Sequence, residues 1–299
     1  MTCLITGGRG FVGYWLVQQL KDKYKVLISS REDTPDTIHL DLLNYKKICN
    51  IIEQYKIKKI FHLAAQPSVH ISFEKPFDTI QYNVMSSLNV IRACQKFGTK
   101  LIFASTSEIY KSSSEQLTEN SLIEPRSPYT ISKLTVDYLI PLLPVKYVIL
   151  RLFNQTGPRQ STNFVISSFA KQLAGIKLGK IDNTIKVGNL NVMRDFLDVR
   201  DAVRAYDLVS DDENEIYNIC SGQLYKISDL LNKLIELANI KVNVEVDATR
   251  LRKFDVMKYY GSYDKINKKL GWKPEIPIEK TLSDLFEYWL QNYSQTEIV

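Results

Sequence analysis

Tyr129 and Lys133 stand four residues apart, a spacing that puts a phenol and an ammonium on one face of a helix. Ser127 is placed to cap that helix, and Pro128 suits its first turn. A free phenol titrates near ~10 and is a poor acid–base group at neutral pH. A neighbouring ammonium favours the phenolate and lowers that value, so the pair could donate a proton to a carbonyl oxygen. A further hydroxyl, from Thr106 or Ser107, follows the apolar run 100–105. The pattern Y-x-x-x-K alone is common and usually structural. Its meaning here depends on what lies upstream.

Upstream, Gly7, Gly10 and Gly13 form G-x-x-G-x-x-G between a short apolar run, 2–6, and a segment of helical period in which Phe11, Val12, Trp15, Leu16 and Leu20 share one face. Glycines at a first strand–helix junction permit a tight turn and let backbone N–H groups approach a pyrophosphate. The expected ligand is a dinucleotide. The next strand ends Ser29-Ser30-Arg31, without the acidic residue that would accept hydrogen bonds from the ribose of NAD. Small hydroxyls and an arginine leave room and counter-charge for a 2′-phosphate, which favours NADP(H), with NAD(H) as the alternative; Arg31 as a plain surface residue is the bland reading. Asp41, followed by Leu42, could hold the adenine amino group. Leu63, Ala64 and Ala65 put small residues where a strand end passes beneath the cofactor. Glu32, Asp33 and Asp36 read as a solvated loop.

These side chains need a scaffold to position them. Strand-length apolar runs (26–29, 59–64, 100–105, 147–153) alternate with helical segments (45–55, 78–97, 129–139). That alternation predicts an α/β fold, a doubly wound parallel sheet with helices on both faces. After Gly157-Pro158 the pattern becomes less regular. Residues 1–157 therefore read as the dinucleotide-binding domain and 158–299 as a smaller α+β domain, with 195–222 returning to the first. Asp198 and Asp201 read as a helix-cap pair. The chain has 299 residues, 44% hydrophobic and 24% charged, which excludes a disordered, collagen-like or coiled-coil chain. Its net charge of +6 is mild and scattered, as on a solvated surface, and does not suggest nucleic-acid binding. Cys3, Cys49, Cys94 and Cys220 lie far apart with no CxxC, consistent with a reducing, cytoplasmic location. No basic region precedes the apolar N-terminus, and the most apolar stretch, 138–153, is too interrupted to span a bilayer. His39, His62 and His70 lack metal-ligand spacing and read as structural, and Trp272 and Trp289 read as packing residues.

The segments TGGRGFVG, HLAAQ, STSEIY, SPYTISK, RLFN and RDFLDVRDAV occur in this order over essentially the whole chain. Together they resemble the extended short-chain dehydrogenase/reductase family. RLFNQTGPRQ, YNICSG and LGWKPEIPIEKTL are similar to its GDP-4-keto-6-deoxy-D-mannose reductases. The resemblance implies a Rossmann-type domain, a C-terminal nucleotide-sugar domain and a cleft between them. It implies NADPH-dependent reduction of the C4 ketone of a GDP-linked 4-keto-6-deoxy sugar, a hexose giving GDP-D-rhamnose or an equivalent heptose. Thr106, Tyr129 and Lys133 would be the catalytic trio, with Tyr129 protonating the C4 oxygen. Arg9, Phe11 and Val12 would join the glycines at the cofactor. Ser107, Asn154, Arg194 and Arg252 would meet the sugar nucleotide, with ion pairs to Asp195 or Asp255 the alternative for the two arginines. Glu108 matches the base of the sister GDP-mannose 4,6-dehydratases, so a lyase remains the rival reading. A binding-only sensor would commonly have lost Tyr129 or Lys133. Lys111 and Gln155 stand where the family usually has glycine and histidine. The family's homodimer is built on the Tyr129 helix, which is about a turn short here.

Overall fold

The computed structural model describes residues 1–250 and 256–294. In chain order its elements are β1 (Thr2–Thr6), α1 (Phe11–Leu20), β2 (Lys25–Ser30), β3 (Ile38–His39), α2 (Tyr45–Tyr55), β4 (Ile57–His62), α3 (Val69–Glu74), α4 (Pro76–Phe97), β5 (Lys100–Thr106), α5 (Pro128–Leu139), β6 (Tyr147–Leu152), β7 (Asn154–Thr156) and α6 (Val165–Lys177). There follow β8 (Thr184–Val187), β9 (Met193–Arg194), β10 (Phe196–Asp198), α7 (Val199–Leu208), β11 (Glu215–Ile219), β12 (Tyr225–Lys226), α8 (Ile227–Ala238), β13 (Asn243–Val246), β14 (Lys258–Tyr259), α9 (Asp264–Leu270) and α10 (Ile278–Asn292).

Seven parallel strands form one sheet in the order β11-β6-β5-β4-β1-β2-β3. Every residue of β5 is buried, as a parallel sheet covered on both faces requires. One face packs Leu16, Leu20 and Tyr206 from α1 and α7 against Ile5 and Phe61. The other packs Ile48, Ile52, Val90, Ile91 and Val136 from α2, α4 and α5 against Leu4, Ile60 and Phe103. Strand order reverses at β1 and β4, so the crevice beyond their carboxyl ends is where this architecture takes ligands.

The sequence periodicity misses β3, which is only two residues long and pairs Ser29 and Ser30 with Ile38 and His39. It also sets the end of β4 too late: the strand stops at His62, leaving Leu63–Ala65 in the loop at the crevice. Residues after β7 build a third core, where Phe169 and Leu173 of α6 meet Leu231 and Leu234 of α8 and Leu282 and Trp289 of α10. α7 and β11 instead pack on the large sheet, β11 as its edge strand beside β6. Asp198 caps α7, accepting the Arg200 N–H at 2.8 Å. Asp201 is no cap: its carboxylate accepts the N–H groups of Glu275 and Ile276, each at 2.9 Å, and ties α7 to the segment before α10. Trp272 and Trp289 are buried packing residues, and all four cysteines are free and buried. Among the described residues no helix is long and apolar enough to cross a membrane.

Candidate active site

Gly7 leaves β1 with φ +73°, a left-handed conformation that a side chain would strain, and a Cβ there would lie 2.9 Å from the Ala64 nitrogen. At Gly13 a Cβ would come within 2.2 Å of the Gly7 carbonyl oxygen. The loop thus closes on itself and on the β4 exit with no space for side chains. α1 starts at Gly10 with no side-chain cap and no acid in its first turn. Its N-terminal N–H groups and positive dipole end are left for an anion. This cradle fits a dinucleotide pyrophosphate. At the edge of the crevice, the Arg31 guanidinium lies 4.8 Å from the centroid of the Tyr82 ring, and Arg9 pairs with Glu32 at 2.6 Å. Asp41 spends one carboxylate oxygen on the Leu43 N–H at 3.0 Å. Leu42 turns into the core and gives its carbonyl to Asn89. Phe11, Val12, Leu63, Ala64 and Ala65 are partly exposed.

Helix α5 begins with a reciprocal cap: Ser127 accepts the Thr130 N–H and Thr130 Oγ1 accepts the Ser127 N–H, with Pro128 in the first turn. That start fixes Tyr129 and Lys133 on one face, beside the end of β5. The Thr106 hydroxyl hydrogen-bonds the Tyr129 phenol and also accepts the Glu108 N–H at 3.2 Å. Burial and then the Glu108 carboxylate push the phenol above its usual range, while the Thr106 bond pulls it down. Lys133 lies over the Phe103 ring, 4.4 Å from the centroid, and burial lowers its ammonium to about 7 although Asp137 opposes the shift. The expectation that Lys133 acidifies Tyr129 is therefore corrected. Lys133 is itself poorly solvated and weakly held in its charged form, and Tyr129 is a protonated phenol at neutral pH. Such a phenol has a proton to give.

Two buried networks hold these groups. Ser87 donates to the Asn83 carbonyl at 2.6 Å, so its oxygen accepts from His62 Nε2 at 3.0 Å, and His62 Nδ1 accepts from Thr6 Oγ1 at 2.7 Å. This tautomer is assigned from the network. Thr6 Oγ1 also accepts the Ala64 N–H. Asn83 donates to Ser132 Oγ at 3.0 Å, and Ser132 donates to the Tyr129 carbonyl at 2.7 Å. The glycine loop and helix α5 are so joined through one chain of hydrogen bonds. Burial lowers His62 to about 3, keeping it neutral, as a structural histidine should be. One turn beyond Lys133, Asp137 takes the Ser105 hydroxyl at 2.6 Å and a two-point contact from Arg151 at 2.7 and 3.1 Å.

Ser107 is buried in the turn after β5, where its carbonyl accepts the Tyr259 hydroxyl. Asn154 donates to the Asp195 carbonyl at 3.0 Å, and Arg194 donates to the Met193 carbonyl at 2.9 Å. Arg252 lies outside the described residues. Sequence reading treated Asp195 only as an ion-pair partner. Its carboxylate accepts the Ser221 N–H and Oγ–H, each at 2.7 Å, and the Gly222 and Gly261 N–H groups at 3.0 and 3.3 Å. Burial still outweighs these bonds and lifts it to about 6. The signal available beforehand was an aspartate beside a candidate phosphate-binding arginine; the two loops it gathers are distant in sequence.

The family model for GDP-mannose 4,6 dehydratase matches residues 4–285. GDP-6-deoxy-D-mannose reductase of Pseudomonas aeruginosa is 34% identical over 241 residues, covering 77% of this chain and 79% of that protein. GDP-mannose 4,6-dehydratase of Vibrio cholerae is 26% identical over 284 residues, covering 82% and 76%. Among solved structures, RMD from Pseudomonas aeruginosa complexed with NADPH superposes with a TM-score of 0.87 at 30% identity, covering 98% of this chain and 100% of that one. UDP-glucose 4-epimerase of Thermotoga maritima with UDP-glucose gives 0.88 at 27%, covering 98% and 99%. The phosphate cradle, the Thr106–Tyr129–Lys133 cluster and these matches lead to one conclusion: the chain belongs to the GDP-mannose 4,6 dehydratase family of extended short-chain dehydrogenases/reductases, and it is a nucleotide-sugar enzyme.

Proposed function

We propose that the protein reduces the C4 ketone of a GDP-linked 4-keto-6-deoxy sugar with NADPH, giving GDP-D-rhamnose or the equivalent heptose. The observation that carries this reading is Tyr129: a half-buried phenol, held protonated and hydrogen-bonded to Thr106, at the carboxyl end of β5. The dinucleotide, when bound, supplies the hydride that the ketone carbon receives. Tyr129 gives its proton to the ketone oxygen as that oxygen becomes an alkoxide, and Thr106 orients the oxygen. Lys133, titrating near 7, returns a proton to Tyr129 from the crevice. Gly7, Arg9, Gly10, Phe11, Val12, Gly13, Arg31, Asp41 and Leu63–Ala65 form the cofactor side, in which NADP(H) is preferred to NAD(H), while Leu42, turned into the core, supports it from behind. Ser107, Asn154, Arg194 and Arg252 form the sugar-nucleotide side, on residues 158–299 and the loops that meet them. The 34% identity to the reductase supports this reaction. Exposed Phe77, Met85, Ile131 and Tyr138 on α4 and α5 support a homodimer through that face, and four free cysteines support a cytoplasmic location.

Glu108 favours a second reading, the 4,6-dehydratase. It lies two residues after Thr106, in the turn that Thr106 caps, and acts electrostatically on Tyr129, where a base removing the C5 proton is needed. Cofactor stoichiometry decides. The reductase consumes one NADPH for each GDP-4-keto-6-deoxy-D-mannose converted. Conversion of GDP-mannose with no net change in NADPH overturns the reductase and supports the lyase.

A further inference from the structure

Tyr259 belongs to one part of the molecule by its backbone and to another by its side chain. β14 pairs in parallel with β9, with Tyr259 beside Arg194, and the Tyr259 carbonyl accepts the Asp195 N–H at 3.0 Å. The ring leaves these strands and packs on Phe153, with centroids 5.7 Å apart. There it joins Ile109, Tyr110, Leu117 and Cys220 in a fourth buried cluster. The hydroxyl donates to the Ser107 carbonyl, in the turn that follows β5.

That turn, Ser107–Ile109, is three residues long and has few supports of its own. Thr106 Oγ1 accepts the Glu108 N–H at 3.2 Å, and the Ser107 carbonyl also accepts the Tyr110 N–H at 2.9 Å. From outside, the Glu124 N–H holds the Ile109 carbonyl at 2.8 Å, and Tyr259 holds that of Ser107. Thr106 caps the turn and Glu108 lies within it, and both act on the Tyr129 phenol. Burial and then the Glu108 carboxylate raise Tyr259 too, so its hydroxyl keeps the proton it donates. We propose that Tyr259 is a positioning residue: its hydroxyl fixes the turn from which Thr106 and Glu108 meet Tyr129, and ties that turn to the strand of Arg194. This rests on the reading above, in which Thr106 and Tyr129 handle the substrate oxygen.

The test is Tyr259→Phe, which keeps the buried ring and removes only the hydroxyl. With GDP-4-keto-6-deoxy-D-mannose, kcat should fall about 10- to 100-fold, as for a reacting group displaced by up to about 1 Å, while KM and the Kd of NADPH stay within about twofold. Thr106→Val should lower kcat as well. Because Tyr259 works through the turn that Thr106 caps, the double variant should be within about twofold of the slower single one. Wild-type kcat in Tyr259→Phe overturns the proposal whatever happens to its melting temperature, and so do effects that multiply in the double variant. Hydrogen exchange gives a readout that no reaction enters. The Glu108 and Tyr110 amides should exchange about 3- to 10-fold faster in Tyr259→Phe, with those of β5 and α5 unchanged; equal exchange overturns the proposal. A wild type that dehydrates GDP-mannose and leaves the ketone unreduced overturns the reductase reading alone, and the same kinetic comparison is then made on dehydration.

Discussion

Lys133 pairs chemical use with structural cost. Its ammonium is buried on an aromatic face and falls to about 7, well below the ordinary lysine value. The unfolded chain therefore binds more protons than the folded one between about pH 7 and pH 10.5, and the stability tied to this residue rises with pH across that window. Lys133→Met should accordingly raise the unfolding free energy read from urea titration at about pH 6, by roughly 1–4 kcal/mol, and lose this advantage by about pH 10. Equal pH dependence in both proteins would show that the ammonium is not buried. The same variant should lose turnover, since the proton supply to Tyr129 goes with it. The types Tyr, Lys, Thr and Glu were legible in the sequence, as was their grouping near β5. What sets the phenol's protonation was not. Glu108 and Tyr129 are distant in sequence and act on each other only once β5 and α5 pack, and the same holds for the Arg9–Glu32 pair.

At the scale of elements, the loop between β1 and α1 is the sharpest constraint. Gly13→Ala would push a methyl against the Gly7 carbonyl, and no flexible side chain is there to move aside. We expect NADPH binding to be lost and stability to drop by about 1–3 kcal/mol, measured by calorimetry and by fluorescence titration. Tight NADPH binding by this variant would mean that the loop is not the phosphate cradle. Helix positions were well marked in the sequence, because SPYT spells a cap and the apolar periods of α2 and α4 are clear. Strand ends were less so. β3 is too short to show alternation, and β4 ends at His62, where the side chain bonds Thr6, although the apolar run continues to Ala65.

Across the whole molecule, the crevice is assembled from segments that meet only in the fold. α7 and β11 pass back to the large sheet, and Arg200 joins Asp198 to Asp284 of α10 at 2.7 Å to each. Asp195 gathers the loops after β11 and β14 behind Asn154. The alternating pattern of 1–157 revealed the parallel sheet; α7, α8 and α10 are amphipathic too, but their period does not say which core each one joins. In the proposed reaction a protonated Tyr129 gives its proton to the ketone oxygen. The most direct test is stopped-flow reduction of GDP-4-keto-6-deoxy-D-mannose by NADPH, followed by nicotinamide absorbance, in wild type and Tyr129→Phe. Turnover in the variant should fall by about 10²- to 10⁴-fold with NADPH affinity nearly unchanged; reduction at the wild-type rate without the phenol would contradict its role as the proton donor.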